Sequence, residues 1–239
     1  MAVPMPGNPL AYPFDRPGGD FVVAEGGIVQ SGGMGHVEVL PDGPDGQPRV
    51  RLSGDGRFSG RTPLLAAGSN AAPERLAAKL SGLGDPRLAA RAVRLPGLAA
   101  VAAGHIAAYG VLPATLAVLP GAAAHLHVLL VTPEQLAAFD ASEALGRHYQ
   151  RRVLDHPALP FGPVLFYRAV SGVFAPDGAP LAFESLNTRK DGGALHDEAA
   201  MMEKLGRWAG LGGTAAGLSE KLRGDAGLRF RLRFKMAEQ

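Results

Sequence analysis

The apolar runs of this chain are short, and glycine or proline punctuates them. Ala90–Leu95 stops at Pro96, Ala114–Leu119 stops at Pro120, and His125–Val131 is separated from Pro133 only by Thr132. Proline fixes φ and lacks a backbone donor, while glycine admits conformations closed to other residues. Runs bounded in this way read as strands and short helices joined by turns. The longest of them, such as Leu98–Ala103 and Leu126–Val131, are too short to span a bilayer. With 33 Gly and 20 Pro in 239 residues, the whole chain obeys this punctuation. Hydrophobic residues at 46% suffice for a core, and aromatics at 6% leave Leu, Ala and Val to build most of it.

Three regions follow along the chain. Residues 1–20 carry Pro4, Pro6, Pro9, Pro13 and Pro17 and read as an extended or disordered arm. Residues 21–60 hold short strands at Phe21–Val23, Val37–Leu40 and Val50–Leu52, with a dense turn at Pro41–Gly46, so 1–60 is expected to be an arm with a small β appendage. Residues 61–175 are the expected core. Pro63–Ala67 reads as a strand, and Pro73–Leu80 as a helix with Leu76 and Leu80 on one face and Pro73 in its first turn. Thr132-Pro133-Glu134-Gln135 is a strong helix start, with Thr132 as N-cap and Gln135 closing a capping box.

Residues 176–239 are an expected extension packed on the core. An amphipathic helix is expected over 194–209, where Leu195, Ala199, Met202, Leu205 and Ala209 recur at helical spacing. Arg229, Arg231 and Arg233 alternate with Phe230, Leu232 and Phe234, which reads as a half-buried strand. Strands with irregularly placed helices point to an α+β (mixed α/β) fold without a regular βαβ repeat.

Composition excludes several function classes. The balance of 24 basic against 22 acidic residues, a net +2, is too even for a nucleic-acid surface despite a pI near 9.1. Without cysteine there is no disulfide, zinc–thiolate site or thiol nucleophile. The first thirty residues lack a basic stretch leading into an apolar one, so a cytoplasmic protein with neither nucleic-acid nor membrane partners is expected. His125 and His127 share a strand face but no third ligand completes a metal pattern, and no nucleotide fingerprint, P-loop or nucleophile elbow is present. The expectation is a site with no metal and no cofactor.

Two segments carry candidate chemistry. In the first, Leu64-Leu65-Ala66-Ala67 runs into the turn Gly68-Ser69-Asn70 and then a helix. Glycine allows close approach of the backbone to a ligand, and N–H groups at a helix start favour an anion. An ordinary strand-to-helix turn has the same local sequence. In the second, Leu136, Phe139 or Asp140, and Glu143 fall at helical spacing, so Glu143 lies on the core-facing stripe if the helix persists. A desolvated carboxylate there suits general acid and base duty. If the helix ends at Ser142, Glu143 is instead a surface residue. Tyr149, six residues on, brings a hydroxyl within reach of the same site; Asp140 orients the loop, caps a backbone group, or is exposed.

Together these segments resemble the γ-glutamyl cyclotransferase-like family. Ala67-Gly68-Ser69-Asn70 followed by Pro73-Glu74-Arg75-Leu76 is similar to that family's Tyr-Gly-Ser-Asn turn and helix. Leu136 to Glu143, then Tyr149-Gln150-Arg151, is similar to its Leu-x-x-Leu-Asp-x-x-Glu-Gly and Tyr-x-Arg segment. The resemblance covers roughly 61–155. It implies a small mixed β-barrel flanked by helices, a turn comprising Ala66, Ala67, Gly68, Ser69 and Asn70 that with Tyr149 binds the substrate, and Glu143 as the proton shuttle. The implied reaction cyclises a γ-glutamyl or related amide to 5-oxoproline and releases an amine. Ala67 stands where the family has tyrosine, and Ala144 where it has glycine. The alternative is a non-catalytic ligand-binding or accessory module of the same fold, like those attached to allophanate hydrolases. A third reading has the Leu195–Ala209 helix and the terminal Arg/Phe strand make a homodimer or a partner surface.

Overall fold

The computed structural model describes residues 7–24, 27–30, 35–53 and 56–238. In chain order its strands and helices are β1 (Phe21–Ala24), β2 (Gly27–Gln30), β3 (Val37–Leu40), β4 (Arg49–Leu52), β5 (Thr62–Ala66), α1 (Pro73–Leu80), β6 (Leu88–Ala102), β7 (Ala114–Val131), α2 (Pro133–Ser142), β8 (Tyr149–Leu154), β9 (Val164–Ala169), β10 (Asn187–Arg189), α3 (Glu198–Ala209), α4 (Ala215–Gly224) and α5 (Ala226–Ala237). This is a mixed α+β fold. The large sheet runs β2-β1-β6-β7-β5-β9-β8, with β10 added on β7. Among the described residues the two ends of that order do not pair, so the expected closed barrel is replaced by an open mixed sheet. Of the small β appendage expected over residues 21–60, β3 and β4 form an antiparallel sheet of their own, whereas the Phe21–Val23 strand is part of β1, which pairs with β6 and joins the large sheet.

The chain forms two units, each drawn from separated stretches. Unit 1 takes residues from 15–95 and 125–167, and unit 2 takes them from 7–14, 96–124 and 168–238. The long strands β6 and β7 therefore contribute to both. Each contains a Pro-Gly step that sequence punctuation reads as a boundary, at Pro96-Gly97 and Pro120-Gly121. Instead of ending the strand, Gly97 and Gly121 take φ of +81° and +80°, a conformation that costs glycine little, and pairing resumes beyond them. A side chain at Gly121 would also meet Asp191 at 2.9 Å.

In unit 1, β5 is an interior strand. It pairs antiparallel with β7 through Leu64↔Leu129 and parallel with β9 through Leu64↔Leu165, and all five of its residues are buried. A strand covered on both faces carries the continuous apolar run that Leu64-Leu65-Ala66 supplies. The helix α1 begins at Pro73 and buries Leu76 and Leu80. The capping box of α2 forms as the sequence predicts: Thr132 Oγ1 accepts from the Gln135 N–H at 3.1 Å, and Gln135 Oε1 accepts from the Thr132 N–H at 3.0 Å. Gln135 does more than cap. Its amide donates to the carbonyls of Asp85 and Arg87, both at 2.9 Å, and its oxygen accepts from Arg61 at 3.2 Å. Since Gln135 and Arg61 are buried, this network fixes the start of α2 and hence the position of its far end.

In unit 2 the arm is seated, not loose. Tyr12 is buried, its ring lies 5.5 Å from that of Phe183, and its hydroxyl accepts the Ala114 N–H at 2.7 Å. Pro4 and Pro6 of the arm lie outside the described residues. The helix expected over 194–209 starts later, at Glu198, because Asp197 takes the N-cap and accepts from the Ala200 N–H at 2.7 Å. Leu195 precedes it and packs beside Ala99, Val101, Ala122 and Ala182. The expected strand over 229–234 is helix α5, which buries Leu228, Leu232 and Met236.

Glu198 is fully buried in unit 2. Its Oε1 accepts the Leu112 N–H at 2.9 Å, while its Oε2 has no hydrogen-bond partner among the described residues. Burial pushes its pKa well above the ordinary glutamate value. The folded state then holds a proton that the unfolded chain releases, so this contribution to stability is present in acid and is lost as pH rises through the folded pKa. Glu198→Gln keeps the acceptor for Leu112 and cannot ionise. It is expected to stabilise the protein by about 1–3 kcal/mol in mildly alkaline buffer, with little gain near pH 4. Urea unfolding of both proteins across that range checks this, and parallel pH profiles would contradict it.

Candidate functional site

The end of β5 delivers the Gly68 turn into unit 1. Ala66, Ala67 and Gly68 are buried and Ser69 is half-buried. Ser69–Ala71 form a single 3-10 turn closed by the Ala72 N–H on the Ser69 carbonyl at 3.0 Å. The first N–H groups of such a turn, those of Ser69 and Asn70, have no intrahelical acceptor. Asn70 is buried and its side chain points at the end of α2.

Glu143 is the C-cap of α2. It keeps helical backbone geometry, with φ of −85° and its N–H on the Phe139 carbonyl at 2.9 Å. The helix proper stops at Ser142, yet that geometry carries Glu143 one step further along the same stripe as Leu136 and Phe139. Its side chain is therefore mostly covered, with 17% exposed. The Asn70 amide donates to Glu143 Oε1 at 3.0 Å across 73 residues of sequence. The turn and the carboxylate thus share one site.

A third member completes the cluster. Lys79, in the last turn of α1, donates to the same Glu143 Oε1 at 3.1 Å and also to Asn70 Oδ1. Only 5% of the Lys79 side chain is exposed, and its ammonium sits 5.0 Å from the centroid of the Phe139 ring. Burial lowers the Lys79 pKa from the ordinary lysine value, and the Glu143 charge opposes that shift without cancelling it. Glu143 Oε1 thus receives two donors, while Oε2 carries no hydrogen bond among the described residues. One oxygen anchors the carboxylate and the other is available for proton transfer.

Asp140, one turn earlier on α2, does not join this cluster directly. Its Oδ1 accepts from the Tyr167 hydroxyl of β9 at 2.8 Å and lies 3.5 Å from Nε of Arg151 on β8. Burial, reinforced by Asp140, pushes the Tyr167 phenol well above the ordinary tyrosine value, so the ring stays neutral and donating. Tyr149 is buried and packs edge-on against Tyr167, with centroids 6.4 Å apart. Of the residues expected to bind substrate, Asn70 touches Glu143, Ala66 to Ser69 form the backbone leading to it, and Tyr149 belongs to the adjoining aromatic layer.

The two histidines stand apart. His125 is exposed, whereas His127 is buried, with Nε2 at 3.1 Å from the Gly19 carbonyl and its ring against Phe21. Sequence reasoning missed Lys79 and Tyr167. Lys79 borders the Leu76–Leu80 face of α1 at i+3, but that position alone does not turn a lysine inward. Tyr167 alternates with Leu165 on a strand and carries no motif. No protein-family model, curated protein or solved structure matches this chain.

Proposed function

We propose that this protein is a γ-glutamyl cyclotransferase-like acyl-transfer enzyme that uses Glu143 as its general base and acid. The observation that carries the reading is the hydrogen bond between Asn70 of the Gly68 turn and Glu143 of α2. Two segments that resemble one family's site in sequence meet at hydrogen-bond distance. In this reading the substrate's α-amine gives a proton to Glu143 Oε2 as its nitrogen attacks the γ-carbonyl carbon. The tetrahedral intermediate collapses with loss of the original amide nitrogen, which takes the proton back from Glu143. One C–N bond forms, one breaks, and the products are 5-oxoproline and a free amine.

The protein's own contribution is placement. The attack is intramolecular, so holding the substrate folded over the carboxylate supplies much of the rate. The N–H groups of Ser69 and Asn70 are the local donors for an anionic substrate group or a developing oxyanion. Ala67 leaves the turn with a methyl group where the resembling family has a phenol ring, which favours a bulkier substrate group at that position. The assay is direct: the protein is incubated with a panel of γ-glutamyl amines and peptides, and 5-oxoproline and free amine are measured. Appearance of both in equal amounts supports the reading. A compound that raises the melting temperature without product supports instead a ligand-binding module of the same architecture.

A further inference from the structure

Helix α5 has two apolar faces, and only one of them is used to build unit 2. Leu228, Leu232 and Met236 are buried, whereas Phe230 and Phe234 are 57% and 56% exposed. The two phenyl rings pack on each other with centroids 4.7 Å apart and planes at 66°, so they form one continuous apolar ridge. The other large exposed apolar side chains, among them Val39, Val118 and Val153, form no such ring contact. Helical spacing places Arg231 on one flank of the ridge and Arg233 on the other. Between Ala226 and Ala237 there are four basic residues, Arg229, Arg231, Arg233 and Lys235, and no acidic one.

Arg229 and Lys235 help hold the helix down. Arg229 donates to the carbonyls of Leu222 and Arg223, and Lys235 donates to the Trp208 carbonyl while lying 4.6 Å from the centre of the Trp208 ring. Arg231 reaches no closer than 4.0 Å to its nearest carboxylate, Asp225, and is largely exposed. The ridge is therefore a fixed, convex, positively charged surface with an aromatic crest.

Charge and shape select its occupant. A second copy would set one all-basic helix against another. Single-stranded nucleic acid stacks its bases on successive ring faces, and here the edge-to-face contact covers one of them. A bilayer with anionic headgroups deforms around a convex ridge, takes phenyl rings into its acyl boundary and pairs the Arg231 guanidinium with phosphates. We propose that α5 docks this protein peripherally on an anionic lipid surface through Phe230, Phe234 and Arg231. No helix among the described residues is long and apolar enough to cross a membrane, so the attachment is peripheral.

Sedimentation with phosphatidylcholine vesicles, with and without phosphatidylserine, tests this. Binding is expected only to the vesicles that contain phosphatidylserine, and it weakens as salt rises. The exposed pair Phe230→Ser/Phe234→Ser is expected to lower binding at least about ten-fold with the unfolding midpoint little changed. Arg231→Gln is expected to lower it about five-fold. Equal binding to neutral vesicles, or unchanged binding of the double phenylalanine variant, overturns the proposal. So does a solution dimer, or a complex with an RNA oligonucleotide, that is lost in that same variant while vesicle binding is absent.

Discussion

Glu143→Gln is expected to lower 5-oxoproline release by about 10²–10⁴-fold on any substrate that the unaltered protein turns over. The substitution preserves shape and leaves an acceptor oxygen for Asn70 and Lys79, but the side chain no longer accepts a proton at the position of Oε2. A loss of kcat with KM little changed is the signature of proton transfer, because the substrate-binding turn is untouched. The melting temperature of the variant, measured alongside, separates this from unfolding. Retained turnover in a folded Glu143→Gln protein would remove Glu143 from the chemistry. Loss of turnover with the vesicle binding of α5 intact would show that the two proposals stand or fall separately.

The second large effect is on stability, and it is asymmetric. Lys79 is more deeply buried than Glu143, with 5% against 17% of the side chain exposed. Glu143→Met leaves an ammonium under cover beside Phe139 with only the Asn70 oxygen for company, a loss of about 3–5 kcal/mol near neutral pH. Lys79→Met leaves a carboxylate that retains the Asn70 amide and partial access to water, and the expected loss is about 1–2 kcal/mol. The double variant Lys79→Met/Glu143→Met is expected to recover most of the Glu143→Met loss, since no buried charge remains. Urea unfolding of the four proteins gives the coupling directly.

Glu143→Met also has a pH signature. A lysine whose folded pKa is lowered binds fewer protons in the folded state, so its contribution is fully present above the unfolded lysine pKa and lost as pH falls through the folded one. Removing Glu143 removes the charge that holds the folded pKa up. The variant should therefore close the gap to the unaltered protein as pH rises from 7 toward 10. A gap that stays constant, or equal losses in the two single variants, would place the ammonium in better contact with water than the structure gives it.

How much of this was legible beforehand differs element by element. The α2 start was fully written in Thr132-Pro133-Glu134-Gln135, because a capping box is a local hydrogen-bond pattern. The α1 bounds followed from Pro73 and the Leu76–Leu80 pair for the same reason. The segment over 229–234 misled because apolar residues at 228, 230, 232, 234 and 236 satisfy two periods at once. Leu228, Leu232 and Met236 are also four apart, so a helix buries those three and turns the two phenylalanines outward. The long strands β6 and β7 were cut short on paper because Pro-Gly steps look like ends, and only neighbouring backbone shows that pairing resumes after them.

At the site, Glu143 and Asn70 could be read together from the order and spacing of their segments, although neither position is distinctive alone. Lys79 could not. A lysine in the last turn of a helix usually faces water and the negative end of the helix dipole, and nothing within α1 says that a carboxylate 64 residues later will cover it.

The chain weaves between its two units. It leaves unit 1 after Leu95, returns at His125 and departs again after Tyr167. No single cut separates one unit from the other: a break after Leu95 or before His125 severs both, and one after Tyr167 still splits unit 2. Neither half can be deleted, expressed or transplanted as a contiguous fragment, so evolution and protein engineering alike must treat the whole stretch as one inheritable block. The same weave makes unit 1 wait on contacts between distant stretches, such as those bringing Asn70 to Glu143, which slows folding for a chain of this length.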